Sequence, residues 1–362
     1  MVKIVSNTGI FCSLLFCLPT YAAPPKPHTA KPPIHRVKPA QPGTLGTHQM
    51  AGGEGVFGET YTVTDDGSYG PMNFTLTSAE YTTERLPFTT DFAAVPKVGE
   101  KLLVLHYRVK NPNTSDFYFK PSLIFQTVAA DGLTRSDIEY SRRLTQRIAV
   151  ADTLKPGQGY DDLVTCAVVP ALSGTPKIIL QFGRVGTADK VIRYTLGTSK
   201  NPVKAVPAPY ADPADLTGAT ALTEIPAKIG TSYVAGIYDL TLLSAAYSPG
   251  PFGETIAEDG KQFLVVAVSV TNKTWAQNYF KDALSPVLLT SDDEKTTSCS
   301  VFKSKRDEPW EGRQVEAGET VTVRLLFQIP KDTTAKTLKL SEAVDNSGGY
   351  SHALVYDLTG VK

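Results

Sequence analysis

The chain has few of the residues on which redox, metal and nucleophilic chemistry depend. Its 362 residues include four Cys, three Met, two Trp and five His. Cys12 and Cys17 lie in the N-terminal apolar segment, which leaves only Cys166 and Cys299 in the remainder. A small fold held by many disulfides is therefore excluded, and the His, Cys and Met residues lack the spacing of a metal site. We expect no cofactor.

An excess of one charge is also missing, since 36 basic residues balance 36 acidic ones. The basic residues Lys3, Lys26, Lys31, Arg36 and Lys38 all fall within residues 1–50, which contain no Asp or Glu. The rest of the chain is thus mildly acidic. Because it offers no basic field to attract a phosphate backbone, we expect no nucleic-acid partner.

Long apolar runs are absent after the N-terminus, and the run there is too short for a membrane span of about 20 residues. It follows a basic start at Lys3, extends through Leu18 and ends at small residues. This pattern predicts a signal peptide over residues 1–22, with cleavage after Ala22 or, alternatively, Ala23. We therefore expect a secreted or periplasmic protein without a transmembrane segment in the mature chain.

Two Pro-rich segments divide the remainder. Residues 23–50 predict an extended spacer, and residues 198–227, which contain "TSKNPVKAVPAPYADPAD", predict a linker. Between and after them lie a first module, residues 51–197, and a second module, residues 228–362.

The two modules repeat one pattern. "FTLTSAEY" at 74–81 corresponds to "LTLLSAAY" at 240–247, and "GEKLLVLHYRVKNPNT" at 99–114 corresponds to "GKQFLVVAVSVTNKT" from 260. "YFK" occurs at 118–120 and again at 279–281, and two later strands end at Pro170 and Pro330. The order and spacing are kept over more than a hundred residues, which predicts a duplicated module.

Helical periodicity of useful length is missing. Short β-branched and aromatic runs alternate with turn signals such as "DDG", "NPNT", "PGQG" and "SDDE". This pattern predicts an all-β fold of two tandem antiparallel β-sandwich domains. Alternate residues predict a core face in each module: Leu103, Leu105, Tyr107 and Val109 in the first, and Leu264, Val266, Val268 and Val270 in the second. On the opposite face of each strand, the first residues are apolar and the last residues are polar. This pattern predicts that a neighbouring segment covers the first half of that face. Asn111 and Asn272 follow as turn residues.

These motifs support a resemblance. The order "FLVVAVSVTN", then an aromatic pair, then "EAGE", then a strand ending "FQIP" resembles an immunoglobulin-like domain-of-unknown-function family of secreted bacterial proteins and lipoproteins. The second module fits well, whereas the first carries Cys166 near the position of Phe327. The resemblance implies two immunoglobulin-like sandwiches outside the cytoplasm, of unassigned role and without family catalytic residues.

Few residues suggest a site. Trp275 and Trp310, like Phe117 and Tyr118, lie among polar residues, so they form either a binding platform or the cover of a core edge. Asp292 and Asp293 in "SDDEK" suggest either a calcium site or a simple turn. Cys166 and Cys299 could form a disulfide if the geometry allows.

Catalysis has little support in the sequence, because only His106 and His352 lie outside the N-terminal segment. We therefore expect a non-enzymatic binding or structural protein whose partner is a protein or a cell-envelope polymer. A pair of carbohydrate-binding modules is the first alternative, and it requires Trp275 and Trp310 to be coplanar on one surface. A hydrolase with an unrecognised site is the second, and it requires one of the two His to meet a carboxylate and a nucleophile in a cleft.

Overall fold

The computed structural model describes residues 46, 48–49, 53–64, 71–90, 92–119, 125–133, 135–137, 141–147, 150, 152–181, 191–280, 283–344 and 349–362. The predicted signal peptide and almost all of the predicted spacer lie outside these residues. Every regular element in the described part of the chain is a β-strand, so the prediction of an all-β fold is confirmed. The described residues contain no helix of the length and apolarity that a membrane span requires.

Sixteen strands precede residue 205. They are β1 (His48–Gln49), β2 (Gly53–Glu54), β3 (Tyr61–Val63), β4 (Met72–Thr82), β5 (Leu86–Pro87), β6 (Ala93–Ala94), β7 (Glu100–Lys110), β8 (Phe117–Phe119), β9 (Phe125–Val128), β10 (Arg135–Asp137), β11 (Ser141–Arg143), β12 (Asp152–Leu154), β13 (Gly159–Pro170), β14 (Lys177–Gln181), β15 (Val191–Thr195) and β16 (Val203–Lys204).

Twelve strands follow. They are β17 (Glu224–Ala227), β18 (Ser232–Ala235), β19 (Tyr238–Ser248), β20 (Lys261–Asn272), β21 (Asn278–Phe280), β22 (Leu284–Thr290), β23 (Lys295–Thr296), β24 (Ser300–Lys303), β25 (Arg313–Val315), β26 (Thr320–Pro330), β27 (Ala335–Glu342) and β28 (Ala353–Asp357).

The described strands form two sets of sheets with the same order. In the first module one sheet runs β1-β3-β4-β7-β13-β11, with β16 beside β4, and the other runs β10-β9-β14-β15-β2. In the second module the sheets run β18-β19-β20-β26-β24 and β23-β22-β27-β28-β17. The ribbons β8–β12 and β21–β25 also occupy matching places in the two modules. Pairing is antiparallel except at short edge strands such as β16 and β17.

The central strands β7 and β20 place the predicted residues in the core. Leu103, Leu105, Tyr107 and Val109 are buried, as are the four predicted residues of β20, because alternate side chains of a strand share one face. The outer faces are covered only over their first halves. Phe88 packs on Leu102 and Val104 in the first module, and Phe252 packs on Phe263 in the second. Both expectations about these faces are confirmed.

A buried Asn ends each central strand. Asn272 is fully buried, and its side-chain Nδ2 donates to the carbonyl oxygens of Ala276 and Val315, each at 2.8 Å. Its Oδ1 accepts the Thr274 amide at 2.9 Å, two residues on as the turn prediction requires. Asn111 makes matching bonds to Ser115, Leu154 and Asn113. One amide group thus satisfies three backbone groups at the same place in each module.

The predicted linker, residues 198–227, is more ordered than a spacer. Its start contributes β16 to the first module and its end contributes β17 to the second. Between them Val206 and Tyr210 are buried, and the Ala221 amide donates to the Ala171 carbonyl at 2.9 Å. The Pro residues restrict the backbone without preventing these contacts, since all but Pro226 lie outside strands and Pro226 lies on the edge strand β17. The connection between the modules is therefore packed against both of them.

We predict that Asn272→Ala lowers the free energy of unfolding by roughly 3 kcal/mol. The substitution removes the Asn272 donor from the buried Val315 carbonyl and the Asn272 acceptor from the Thr274 amide, and each such loss costs about 1–3 kcal/mol, whereas the Ala276 carbonyl keeps Thr274 and Asn278 as donors. Urea denaturation of the variant and of the wild type measures the difference. Lys273→Ala, at the exposed neighbouring position, is the control and should change stability by less than about 0.5 kcal/mol. Equal stability of the two variants would contradict the role assigned to Asn272.

Candidate functional site

The structure places the predicted aromatic residues in four different settings. Trp310 is half-buried against the second-module core, and its Nε1 donates to the Phe280 carbonyl at 3.0 Å. Phe117 is buried in the first-module core, whereas its neighbour Tyr118 on β8 points the other way and is 48 % exposed. The two Trp residues therefore do not form the exposed coplanar pair that a carbohydrate platform requires.

Trp275 lies instead at the junction of the two modules. It follows β20 in the second module, and its ring faces two guanidinium groups of the first. The Arg142 Cζ lies 4.9 Å from the ring centroid and the Arg147 Cζ lies 5.5 Å from it. Cation–π contacts of this kind contribute roughly 0.5–2 kcal/mol, more when they are shielded from water. The indole thus helps to join the modules.

A buried Arg of the first module makes a second set of contacts across the junction. Arg85 precedes β5, and its Nη1 donates to the carbonyl oxygens of Gly236 at 3.0 Å and Tyr238 at 3.1 Å. Its Nη2 forms an ion pair with the Asp239 carboxylate at 2.5 Å. The planar guanidinium suits this task because it presents several donors in a fixed arrangement. Arg85 therefore fixes the turn between β18 and β19 against the first module.

Glu342 holds the same turn from the second module. Glu342 is the last residue of β27, and its buried carboxyl group accepts a hydrogen bond from the Ile237 amide at 2.6 Å. Burial raises the pKa of Glu342 to about 8, although the backbone bonds and the nearby Arg85 charge oppose the shift. Gly236 is required here, since its φ is 61° and a Cβ would lie 1.7 Å from the Glu342 Oε2.

A groove of about 330 Å³ opens beside these contacts, and we call it the junction groove. One side comes from the hairpin β5–β6 of the first module, and the other comes from the turns after β18 and β20 together with residue 344. Its lining residues are Pro87, Thr89, Thr90, Phe92, Ala93, Val95, Ile237, Thr274, Trp275, Ala276, Asn278 and Val344. The volume lies at the lower end of the range for small-ligand sites.

The junction groove is apolar with a few neutral polar groups. None of the described residues that line it carries a charged side chain. Phe92 is 40 % exposed and stacks on Phe88, with ring centroids 5.9 Å apart. Asn278 uses its Nδ2 to donate to Thr274 and Ala276, which leaves its Oδ1 as an acceptor for a ligand. The groove can therefore bind an uncharged group by apolar contact, by stacking and by an accepted hydrogen bond.

The acidic turn makes contacts within the protein. Asp292 accepts the Thr290 hydroxyl, and Asp293 forms an ion pair with Lys336 at 2.9 Å. Within the described ranges no group of three or more His, Cys, Asp or Glu residues is arranged to hold a metal ion. The calcium hypothesis for these two residues therefore gains no support from the geometry.

The two cysteines are free thiols in different clusters. Cys166 lies under Phe88 on the outer face of the first module, and burial raises its pKa to about 12. Cys299 is half-buried against the second-module core, and burial raises its pKa to about 11. The disulfide suggested by the sequence is not formed in this structure, because each thiol packs among apolar side chains of its own module.

The two histidines outside the N-terminal segment differ in their contacts. The His106 Nε2 lies 3.3 Å from the Glu80 Oε1 in a cavity of about 350 Å³, so one requirement of the hydrolase alternative is met. The described lining offers only Tyr81 and Thr82 as hydroxyl groups, and the Tyr81 oxygen already accepts the Thr175 amide. No hydrogen bond joins His106 to either of these hydroxyls. His352 contacts backbone carbonyls instead of a carboxylate.

Sequence reasoning missed Arg85, Glu342 and Phe92. Arg85 immediately precedes β5 and Glu342 ends β27, and in the sequence both look like ordinary surface charges. Phe92 is one of several apolar residues in the loop "LPFTTDFAAVP", and no pattern there distinguishes it. Only the three-dimensional arrangement brings Arg85 and Glu342 to their partners, which lie more than a hundred residues away in the chain.

We predict that Glu342→Gln reduces the loss of stability at alkaline pH. The folded pKa of about 8 lies above the ordinary value of 4.5, so the buried acid favours folding at low pH. This contribution is lost as pH rises from about 4.5 through about 8. Urea denaturation at pH 5 and pH 8.5 should show a fall of a few kcal/mol in the wild type and a smaller fall in the variant. Equal falls would show that Glu342 does not titrate as described.

Several proteins of known structure are similar to parts of this chain. No curated protein matches the chain. An uncharacterized β-sandwich protein from Clostridium difficile 630 is 17 % identical, covering 36 % of this chain and 92 % of its own, with a TM-score of 0.28. A secreted protein from Mycobacterium tuberculosis is 15 % identical, covering 39 % of this chain and 95 % of its own, with a TM-score of 0.27. The Bacillus subtilis yjhA protein is 19 % identical over 36 % of this chain and 97 % of its own, with a TM-score of 0.25.

The family comparison is more specific about one part of the chain. The model described as "Domain of unknown function (DUF4352)" matches residues 228–350. These residues span β18 to β27, and they belong to the module that fits the motif order best in the sequence. The match to the DUF4352 model therefore covers most of the second module and none of the first.

Proposed function

We propose that this protein is a non-enzymatic binding protein outside the cytoplasm, and that the junction groove binds an uncharged segment of a protein or cell-envelope polymer. The observation that carries the proposal is the composition of the groove. Both modules contribute to it, and its described lining combines apolar residues with Thr and Asn side chains but no charge. Such a site favours neutral ligands, because burying a charged group without a partner is costly.

The contacts that fix the groove support binding over a purely structural role. Arg85 and Trp275 hold the hairpin of the first module beside the turns of the second. A groove whose sides are already in place does not have to be ordered when a ligand binds, which favours affinity. A simple spacer would need the inter-module contacts but would not need an exposed aromatic ring such as Phe92.

The location rests on the N-terminal sequence. The basic start, apolar run and small residues at 1–22 are typical of a secretory signal. One similar structure is itself described as a secreted protein, in agreement with this assignment. The non-enzymatic role rests on His106 and His352, neither of which is hydrogen-bonded to a hydroxyl or thiol nucleophile.

A carbohydrate is the second candidate ligand, and the groove favours it for a reason different from the one the sequence suggested. Phe92 offers a ring face for stacking on a sugar, and the Asn278 Oδ1 can accept a sugar hydroxyl. The two Trp residues are not needed for this mode, since Trp310 is bonded to the core and Trp275 contacts Arg142.

We predict that Phe92→Ala and Asn278→Ala each weaken binding at least tenfold. The full chain is screened against neutral glycans, cell-wall polymers and secreted proteins, and dissociation constants are measured for each ligand found. Phe92→Ala removes apolar and stacking contact, whereas Asn278→Ala removes one hydrogen-bond acceptor. Leu216→Ala is the matched control, because Leu216 is fully exposed and lies outside the groove.

Two results would contradict the proposal. If no ligand is bound in any arm, a structural spacer becomes the better account of the two modules. If a ligand is bound equally well by Phe92→Ala, Asn278→Ala and Leu216→Ala, the binding surface lies elsewhere. Circular dichroism of each variant confirms that a loss of binding is not a loss of fold.

A further inference from the structure

His352 bridges the two modules through both nitrogens of its ring. It immediately precedes β28 in the second module and is 4 % exposed. Its Nδ1 lies 2.5 Å from the carbonyl oxygen of Leu222, in the connection between the modules. Its Nε2 lies 2.8 Å from the carbonyl oxygen of Glu100, at the start of β7 in the first module. Both neighbours are acceptors only.

A neutral imidazole cannot satisfy this arrangement. It carries one N–H group, so its second nitrogen would direct a lone pair at a carbonyl oxygen. The imidazolium form has two N–H groups and donates to both carbonyls. We infer that His352 is a charged bridge whose protonation stabilises the contact between the two modules, and whose deprotonation weakens it.

The groups around His352 do not supply an alternative explanation. The Glu100 carboxylate accepts the Lys97 amide at 3.0 Å, and Glu224, at the start of β17, forms an ion pair with Lys339. Glu342 contacts Ser351, the residue before His352, and its backbone amide donates to the Ser351 hydroxyl at 2.9 Å. The two carbonyl oxygens remain the acceptors that contact the ring.

The segment around His352 makes further backbone contacts across the junction. The Val98 amide of the first module donates to the Tyr350 carbonyl at 2.7 Å, and the Ala353 amide donates to the Thr223 carbonyl at 3.1 Å. His352 lies between these two bonds. Since protonation gives both ring nitrogens an N–H group to donate, low pH favours the joined state and high pH disfavours it.

Ring NMR of the full chain tests the charge state directly. The protein is labelled with ¹⁵N-histidine, and the His352 signals are assigned by their absence in His352→Gln. At pH 5.5 we expect both His352 ring nitrogens to be protonated and both N–H protons to exchange slowly with water. One nitrogen with a free lone pair at that pH would overturn the inference.

Hydrogen exchange of the Val98 amide tests the effect on the junction. In the wild type we expect protection of this amide, corrected for intrinsic exchange, to fall about tenfold between pH 5.5 and pH 8. In His352→Gln it should be low and independent of pH. The Gly318 amide, which donates to the Asn272 carbonyl at 2.8 Å within the second module, reports whether that module stays folded.

Two further variants separate His352 from other titrating groups. His106→Gln should behave like the wild type, because His106 contacts Glu80 on the first module and makes no bond to the second. In Glu342→Gln, protection of the Val98 amide should still fall between pH 5.5 and pH 7.5, because the fall does not depend on titration of the Glu342 carboxyl group. A flat profile in the wild type, or a fall that persists in His352→Gln, would overturn the inference. None of these measurements depends on a ligand, so they stand apart from the test of the groove.

Discussion

The turn between β18 and β19 carries the junction, because side chains from both modules bond its backbone. Arg85 donates to the carbonyls of Gly236 and Tyr238, while Glu342 accepts the Ile237 amide from the other side. The charges are matched at this point, since Asp239 neutralises Arg85 and the raised pKa of Glu342 keeps its carboxyl protonated near neutral pH. The guanidinium orients the groups that it joins, because its donors have a fixed arrangement. The turn therefore fixes one relative arrangement of the modules.

The two modules keep the same core but differ where they face each other. Asn111 and Asn272 have partners at equivalent positions in the two modules, because each lies at the end of a central strand at a buried turn. Thr114 of the first module occupies the place of Trp275 in the second, where the indole meets Arg142. Two modules with the same strand order have no reason to keep identical surfaces, since each presents a different side to its neighbour.

The sequence was informative about each module and silent about the junction. The core residues of β7 and β20, the partial cover of their outer faces and the Asn turns follow from local alternation and turn chemistry, and all were predicted. The bonds of Arg85, Glu342 and His352 join residues far apart in the chain, so no local pattern announces them. Trp275 was expected on a platform or a core edge because its neighbours are polar. Its partners are instead two Arg residues of the other module, which one sequence cannot pair with it.

The position of the groove makes its shape depend on the junction. Its two sides belong to different modules, so a change of their relative arrangement moves Phe92 with respect to Asn278. Val95 and Val344 also line the groove. Val95 is close in the chain to Val98, whose amide donates to Tyr350, and Val344 is close to Glu342, whose carbonyl accepts the Ser351 amide. A ligand that contacts both sides must bind the joined arrangement more tightly than any other. The groups that stabilise the junction and a ligand that binds the groove therefore favour the same joined arrangement, so each strengthens the effect of the other.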